Sequence, residues 1–152
     1  MLSRRVFSAL LAGLAVVPGA GARAAANLWQ PEAPGPLAFL KRAFDLAHTG
    51  SSRAEGTPYG AVIVKDNKIV GEGWNRSALK SDPTAHGEVE AIQDACRRLG
   101  TRDLSGCVIY TSGGRPCPMC ETACHRAGLD EIVYGTTPDR PVQHGKPRYP
   151  GC

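Results

Sequence analysis

Apolar positions along the chain change spacing several times, and each change marks an element. Leu37, Leu40, Phe44 and Ala47 recur at helical intervals, so residues 37–49 read as an amphipathic helix. A polar loop runs from there to Pro58. Tyr59 to Lys65 carries the nearly continuous apolar run Gly-Ala-Val-Ile-Val and reads as a buried strand. Asp66-Asn67 is a turn signal, and Lys68 to Asn75 is the returning strand of a hairpin. A second helix is expected to open at Asp82-Pro83-Thr84, capped by Asp82 or Thr84, with Glu88 and Glu90 near its positive end. Val89, Ile92, Ala95, Cys96 and Leu99 form its stripe, and Gly100 stops it. Cys107 to Tyr110 is a third strand, and Gly113-Gly114 a flexible turn. Pro116 opens a helix to about Ala127, ended by Gly128, and Glu131 to Tyr134 is a fourth strand. The stretch after Gly135 is rich in Pro, Arg and Gly, and no regular element is assigned to it.

The order helix, hairpin, helix, strand, helix, strand predicts an α/β fold. Its form is a three-layer α/β/α sandwich around a mixed central sheet. With 152 residues, 42% of them hydrophobic, the chain suits one domain with its own core. No internal repeat is visible.

The first residues stand apart from this pattern. Residues 1–24 contain no acid; Arg4-Arg5 precede an apolar run, and Ala22-Arg23-Ala24 has the small-x-small form of a cleavage signal. The run is shorter than the ~20 residues a membrane span needs. Ser3-Arg4-Arg5-Val6-Phe7 reads as a twin-arginine export signal, with a periplasmic destination. An amphipathic first helix or an uncleaved anchor is the alternative. Residues 25–36 then form a Pro-rich leader, 37–135 the domain and 136–152 a short irregular tail. Lys and Arg number 18 against 14 Asp and Glu, but three of the arginines lie in the signal, leaving a balance of about +1. That does not favour a polynucleotide partner, which needs clustered positive charge. A small-molecule substrate is favoured instead.

Two clusters carry chemistry. One is His86-Gly87-Glu88 at a helix start; the other is Pro116-Cys117-Pro118-Met119-Cys120, where a helix follows a strand. Cys117 and Cys120 are three apart and share a face of one turn, and a helix N-terminus favours their thiolates. A catalytic zinc takes three protein ligands and leaves the fourth position to water. His86, Cys117 and Cys120 are the candidate ligands of one Zn2+ per chain. Glu88, two residues beyond His86, is the candidate proton shuttle to a zinc-bound hydroxide. Other readings stay open. Cys-x-x-Cys also suits an exported thiol–disulfide oxidoreductase. Cys124 or His125 could complete a structural zinc site, and the chain could be a catalytically inactive zinc module. Cys96 and Cys107 read as small core residues, Cys152 as a terminal thiol. Trp74 suits core packing or stacking on a substrate.

His-x-Glu with Pro-Cys-x-x-Cys is the signature of zinc nucleobase deaminases. From Leu37 to Tyr134 the chain resembles the cytidine/deoxycytidylate deaminase superfamily. Asp82 to Ile92 and Pro116 to Cys120 look most like its guanine, cytosine and transfer-RNA adenosine deaminase branch, and Tyr59 to Val64 with Gly73-Trp-Asn75 is similar to that branch's first hairpin. The resemblance implies hydrolytic removal of an amino group from a nucleobase or nucleoside, guanine first, then cytosine or a nucleoside. It assigns substrate contacts to Asn75, Ala85 and Pro116, and implies a homodimer. Three differences from the branch stand out. Gly87 replaces its usual Ala, and Arg115 its usual Glu. The chain also ends where the branch normally continues with a further helix and strand, which leaves Asp139 as the only candidate acid of the tail.

Overall fold

The computed structural model of this protein describes residues 27–149; the export signal expected over residues 1–24, and Cys152, lie outside the described residues. A five-stranded mixed sheet in the order β2-β1-β3-β4-β5 runs through the centre. Helix α1 (Pro36–Ser52) opens with Pro36 in the first turn, where its missing N–H costs nothing. Strands β1 (Gly60–Lys65) and β2 (Lys68–Trp74) form the expected hairpin. Its two-residue turn puts Asp66 and Asn67 at φ 50° and 58°, the left-handed pair that matches strand twist. A short helix α2 (Ser77–Lys80) leads to α3 (Gly87–Leu99) and β3 (Cys107–Ser112). Helix α4 (Pro118–Arg126), β4 (Glu131–Gly135) and β5 (Val142–Gly145) complete the order. β1 pairs antiparallel with both β2 and β3, and β3 pairs parallel with β4 across α4.

Alternation along the strands feeds two cores. Val62, Val64, Ile69, Tyr110 and Val133 face α1, where Phe39, Leu40 and Leu46 cover them. Ala61, Ile63, Val70, Ile109 and Ile132 face α3 and α4. Both faces are covered, which is why β1 reads as an unbroken apolar run. The three-layer α/β/α sandwich is therefore as the pattern predicted.

Several local expectations are corrected. The α1 stripe is Phe39, Leu40, Ala43, Leu46, Ala47 and Gly50, whereas Leu37 is exposed. On α3 the buried line is Gly87, Ala91 and Ala95, with Ile92, Cys96 and Leu99 only partly covered. Small residues carry little hydropathy signal, yet here they permit close packing. A Cβ on Gly73 would sit 2.3 Å from the Ala91 nitrogen and 2.5 Å from the Gly87 oxygen. Helix α3 begins at Gly87 rather than at Asp82, because residues 82–85 form a separate turn. In it, Asp82 Oδ1 accepts hydrogen bonds from the Thr84 N–H and hydroxyl, at 2.8 and 2.7 Å. Helix α4 likewise starts at Pro118, with Cys117 at its cap position.

The tail is not wholly irregular. β5 pairs antiparallel with β4, with Tyr134 opposite Val142 and Val133 opposite Gln143. An edge strand of four residues shows too little alternation to register as a period.

The glycine contact sets a prediction. Gly73→Ala forces backbone apart along α3 and is expected to cost about 3 kcal/mol in a urea denaturation series. Gly35→Ala, where nothing lies within 4 Å of the added carbon, is expected to cost about 1 kcal/mol or less.

Candidate metal centre and active-site cavity

Helices α3 and α4 both begin at one end of the sheet, and their cap residues are His86 and Cys117. Both caps have extended backbone, at φ −73° and −66°, and neither spends its side chain on a cap hydrogen bond. The two side chains are thus free to face each other. His86 Nδ1 lies 3.8 Å from Cys117 Sγ and 3.5 Å from Cys120 Sγ. All three ligand atoms fall within 4.8 Å of one another. With Zn–S near 2.3 Å and Zn–N near 2.0–2.1 Å, tetrahedral ligands sit about 3.6 Å apart. The donor set and its spacing fit a zinc ion.

Among the described residues the group that could hold a metal has these three members. Cys124 is buried in the core beneath α4, where burial pushes its thiol up to about 12. His125 turns its Nδ1 to the Pro147 carbonyl, 3.3 Å away. Neither serves as the fourth ligand of a structural site.

Glu88 is buried in the first turn of α3, and the Cys120 thiol donates to its Oε2 at 3.4 Å. Burial, and next the Glu88 carboxylate, push the Cys120 thiol far above its usual range in the metal-free chain. The carboxylate therefore stands beside the ligand atoms without being one of them.

A cavity of about 240 Å³ opens over this group, with His86, Glu88 and Cys117 at its base and Asn75, Tyr59 and Arg115 in its walls. Asn75 is 3% exposed. Its Oδ1 accepts from the Ser77 N–H at 3.0 Å and from the Ser77 hydroxyl at 2.7 Å. Those bonds fix the amide and leave its NH2 as a donor toward the cavity. Ala85 and Pro116, the other expected contacts, are buried and outside the cavity lining. The Ala85 carbonyl is used by the Arg76 N–H at 2.9 Å. Trp74 also lies outside the lining; its ring packs on Gly50 and under the Arg76 guanidinium, and its indole N–H goes to Glu55. Asp139 sits apart, beside Leu37 and Lys41.

Tyr59 and Thr57 at the cavity edge had no sequence signal as site residues. Tyr59 is placed there by Gly113, φ 89°, where a Cβ would meet its ring at 2.3 Å. Arg115 is held by Glu121, a buried carboxylate that accepts from Arg115 Nη2 at 3.1 Å. Glu121 also pairs with His144 Nε2 at 3.1 Å and accepts from the Arg148 N–H at 3.4 Å, tying β5 and the tail to α4. Burial alone would raise the Glu121 carboxyl, but the bonds from His144 and Arg115 outweigh it and hold it below the usual range.

The raised Cys120 thiol gives metal uptake a sign. A protonated thiol must lose its proton to ligate, so apparent zinc affinity is expected to rise with pH through the neutral range. Zinc titrated into the metal-free chain in weak buffer should release protons. Cys120→Ala should lose that release together with tight binding.

A family model, the cytidine and deoxycytidylate deaminase zinc-binding region, matches residues 36–136. The chain is 49% identical over 96 residues to guanine deaminase of Bacillus subtilis (strain 168), covering 63% of this chain and 61% of that protein. It is 38% identical over 96 residues to the tRNA-specific adenosine deaminase of Aquifex aeolicus, covering 63% and 62%. The X-ray structure of the Bacillus subtilis guanine deaminase superposes with a TM-score of 0.62 at 47% identity, covering 64% of this chain and 62% of that one. The chain thus spans about three fifths of the length of these relatives. They come from the guanine and transfer-RNA adenosine deaminase branch that the motif wording pointed to. A match across about two thirds of the sequence, on a chain whose own geometry gathers the ligand set, places it: this protein belongs to the cytidine and deoxycytidylate deaminase zinc-binding family.

Proposed function

We propose that this chain hydrolytically removes the exocyclic amino group of a nucleobase or nucleoside, with guanine as the preferred substrate. One observation carries the reading. His86, Cys117 and the buried Cys120 converge, and His86 and Cys117 line a cavity together with Glu88 and Asn75. His86, Cys117 and Cys120 would hold the zinc, which when bound supplies Lewis-acid activation of a water.

The remaining steps belong to the chain's own side chains. Glu88 accepts a proton from the attacking water and returns it to the ring nitrogen beside the reacting carbon. The water oxygen bonds to the carbon that carries the amine. Glu88 then relays the second proton to that amine, the C–N bond breaks, and ammonia leaves. The Asn75 NH2 donates to a ring acceptor and sets the orientation of the base.

Guanine is supported by the 49% identity to a guanine deaminase; cytosine or a free nucleoside comes next. The near-neutral balance of the chain without its signal argues for a small substrate over transfer RNA. Thiol–disulfide exchange would use Cys117 and Cys120 alone, and leaves without a role the His86 and Glu88 side chains that meet the two sulfurs.

We further propose export to the periplasm through the Arg4-Arg5 signal, and a homodimer. Among the described residues no helix is long and apolar enough to cross a membrane.

Glu88→Ala is expected to retain zinc and to lower ammonia release from guanine by roughly 10²–10⁴-fold. Asn75→Ala should raise KM more than it lowers kcat. Zinc-loaded chain that releases no ammonia from guanine, cytosine, adenine or their nucleosides overturns the proposal. Cell fractionation should find the protein in the periplasm with residues 1–24 removed, and Arg4→Lys with Arg5→Lys should keep it inside. Sedimentation velocity should give a dimer.

A further inference from the structure

Asn75 stands in a loop between β2 and α3, and the backbone on each side of its side chain is pinned. The Asn75 N–H donates to the Tyr59 carbonyl at 2.8 Å, and the Arg76 N–H to the Ala85 carbonyl at 2.9 Å. What joins this loop to the helix bearing His86 and Glu88 is a third carboxylate, Glu90. It is 3% exposed and lies in the first turn of α3. Arg76 reaches its Oε2 through Nε at 2.8 Å and through Nη2 as well. Lys80, at the end of α2, reaches both oxygens, at 2.6 and 2.9 Å. The Arg76 guanidinium also lies over the Trp74 ring, 5.2 Å from its centroid.

Two cations on one buried carboxylate exceed what charge neutrality requires, and both come from the five residues after Asn75. A buried carboxylate left with one partner stays satisfied more poorly, and one left with none is costly. The arrangement therefore has one favourable geometry, in which the loop is closed against α3. We infer that Glu90, with Arg76 and Lys80, is a positioning device that holds Asn75 at a set distance from the metal ligands and Glu88. The Glu90 side chain is outside the cavity lining and the ligand group, and only its backbone N–H meets His86, at the carbonyl oxygen 2.9 Å away. It acts through Asn75, and its role in catalysis rests on the functional reading above.

The test uses the full zinc-loaded chain. Glu90→Gln keeps the side-chain shape but gives up the charge that gathers both cations. It is expected to raise KM for guanine roughly tenfold and to leave kcat within about twofold, as loss of ground-state orientation does. Zinc content should stay at one per chain. Amide exchange should quicken over residues 76–85 but not over α1. Glu90→Asp should recover part of the KM, because a carboxylate is back in place. If Glu90→Gln does not fold, Arg76→Lys removes the fork while keeping the charge, and should show a smaller KM rise of the same kind.

Unchanged KM and exchange in a folded Glu90→Gln chain overturns the inference, as does a melting-temperature loss with KM unmoved. A drop in kcat at constant KM also overturns it, since that assigns Glu90 to the chemical step. If the unaltered chain releases no ammonia from any base, the functional reading fails first. Activity in the unaltered chain with an indifferent Glu90→Gln variant sinks this inference alone.

Discussion

The close approach of α3 to β2 is the contact on which the site depends. Gly71 and Gly73 present bare backbone to Gly87, Ala91 and Ala95, so the helix axis comes nearer the sheet than larger side chains allow. That approach sets where the helix begins. Its cap, His86, then falls opposite the cap of α4, Cys117. A gap of the ordinary width between helix and sheet would carry the imidazole out of reach of the sulfurs. The site is thus a property of packing before it is a property of the ligands.

Both helix starts face the same space, and this has an electrical consequence. Each N-terminus carries a partial positive charge and unpaired backbone N–H groups. Thiolates and a carboxylate placed there are favoured, and two such ends meet here. Burial acts against this at Cys120, whose thiol it raises. A divalent metal resolves the opposition, because ligation favours the thiolate over the thiol.

Around this centre, carboxylates that are buried (Glu90, Glu121) or half-buried (Glu72) do the fastening. Glu90 draws the loop after β2 onto α3, and Glu121 draws Arg115, β5 and the start of the tail onto α4. Glu72 makes a paired bond with Arg42 and so joins β2 to α1. Each of these acids lies on one element and gathers donors distant in sequence. Each also leaves the apolar core undisturbed, because every buried polar side-chain atom among the described residues has a partner.

The amino-acid sequence by itself determined the order of the main elements, the two-faced sheet and the ligand types. Those follow from periodicity, turn residues and spacing, all of which act between near neighbours. His86, Glu88, Cys117 and Cys120 were legible because a zinc site of this family carries those residue types at those intervals. The contacts that only the tertiary structure decided are between residues far apart: the Glu90 and Glu121 clusters, Tyr59 over Gly113, the edge strand β5, and the small-residue seam of α3. A carboxylate's partners depend on which loops the fold brings to it, and no local pattern encodes that. Gly and Ala announce a close approach only once their neighbour is known. The place of Ala85 and Pro116 outside the cavity lining has the same cause, since adjacency to a ligand in sequence does not set which way the cavity opens.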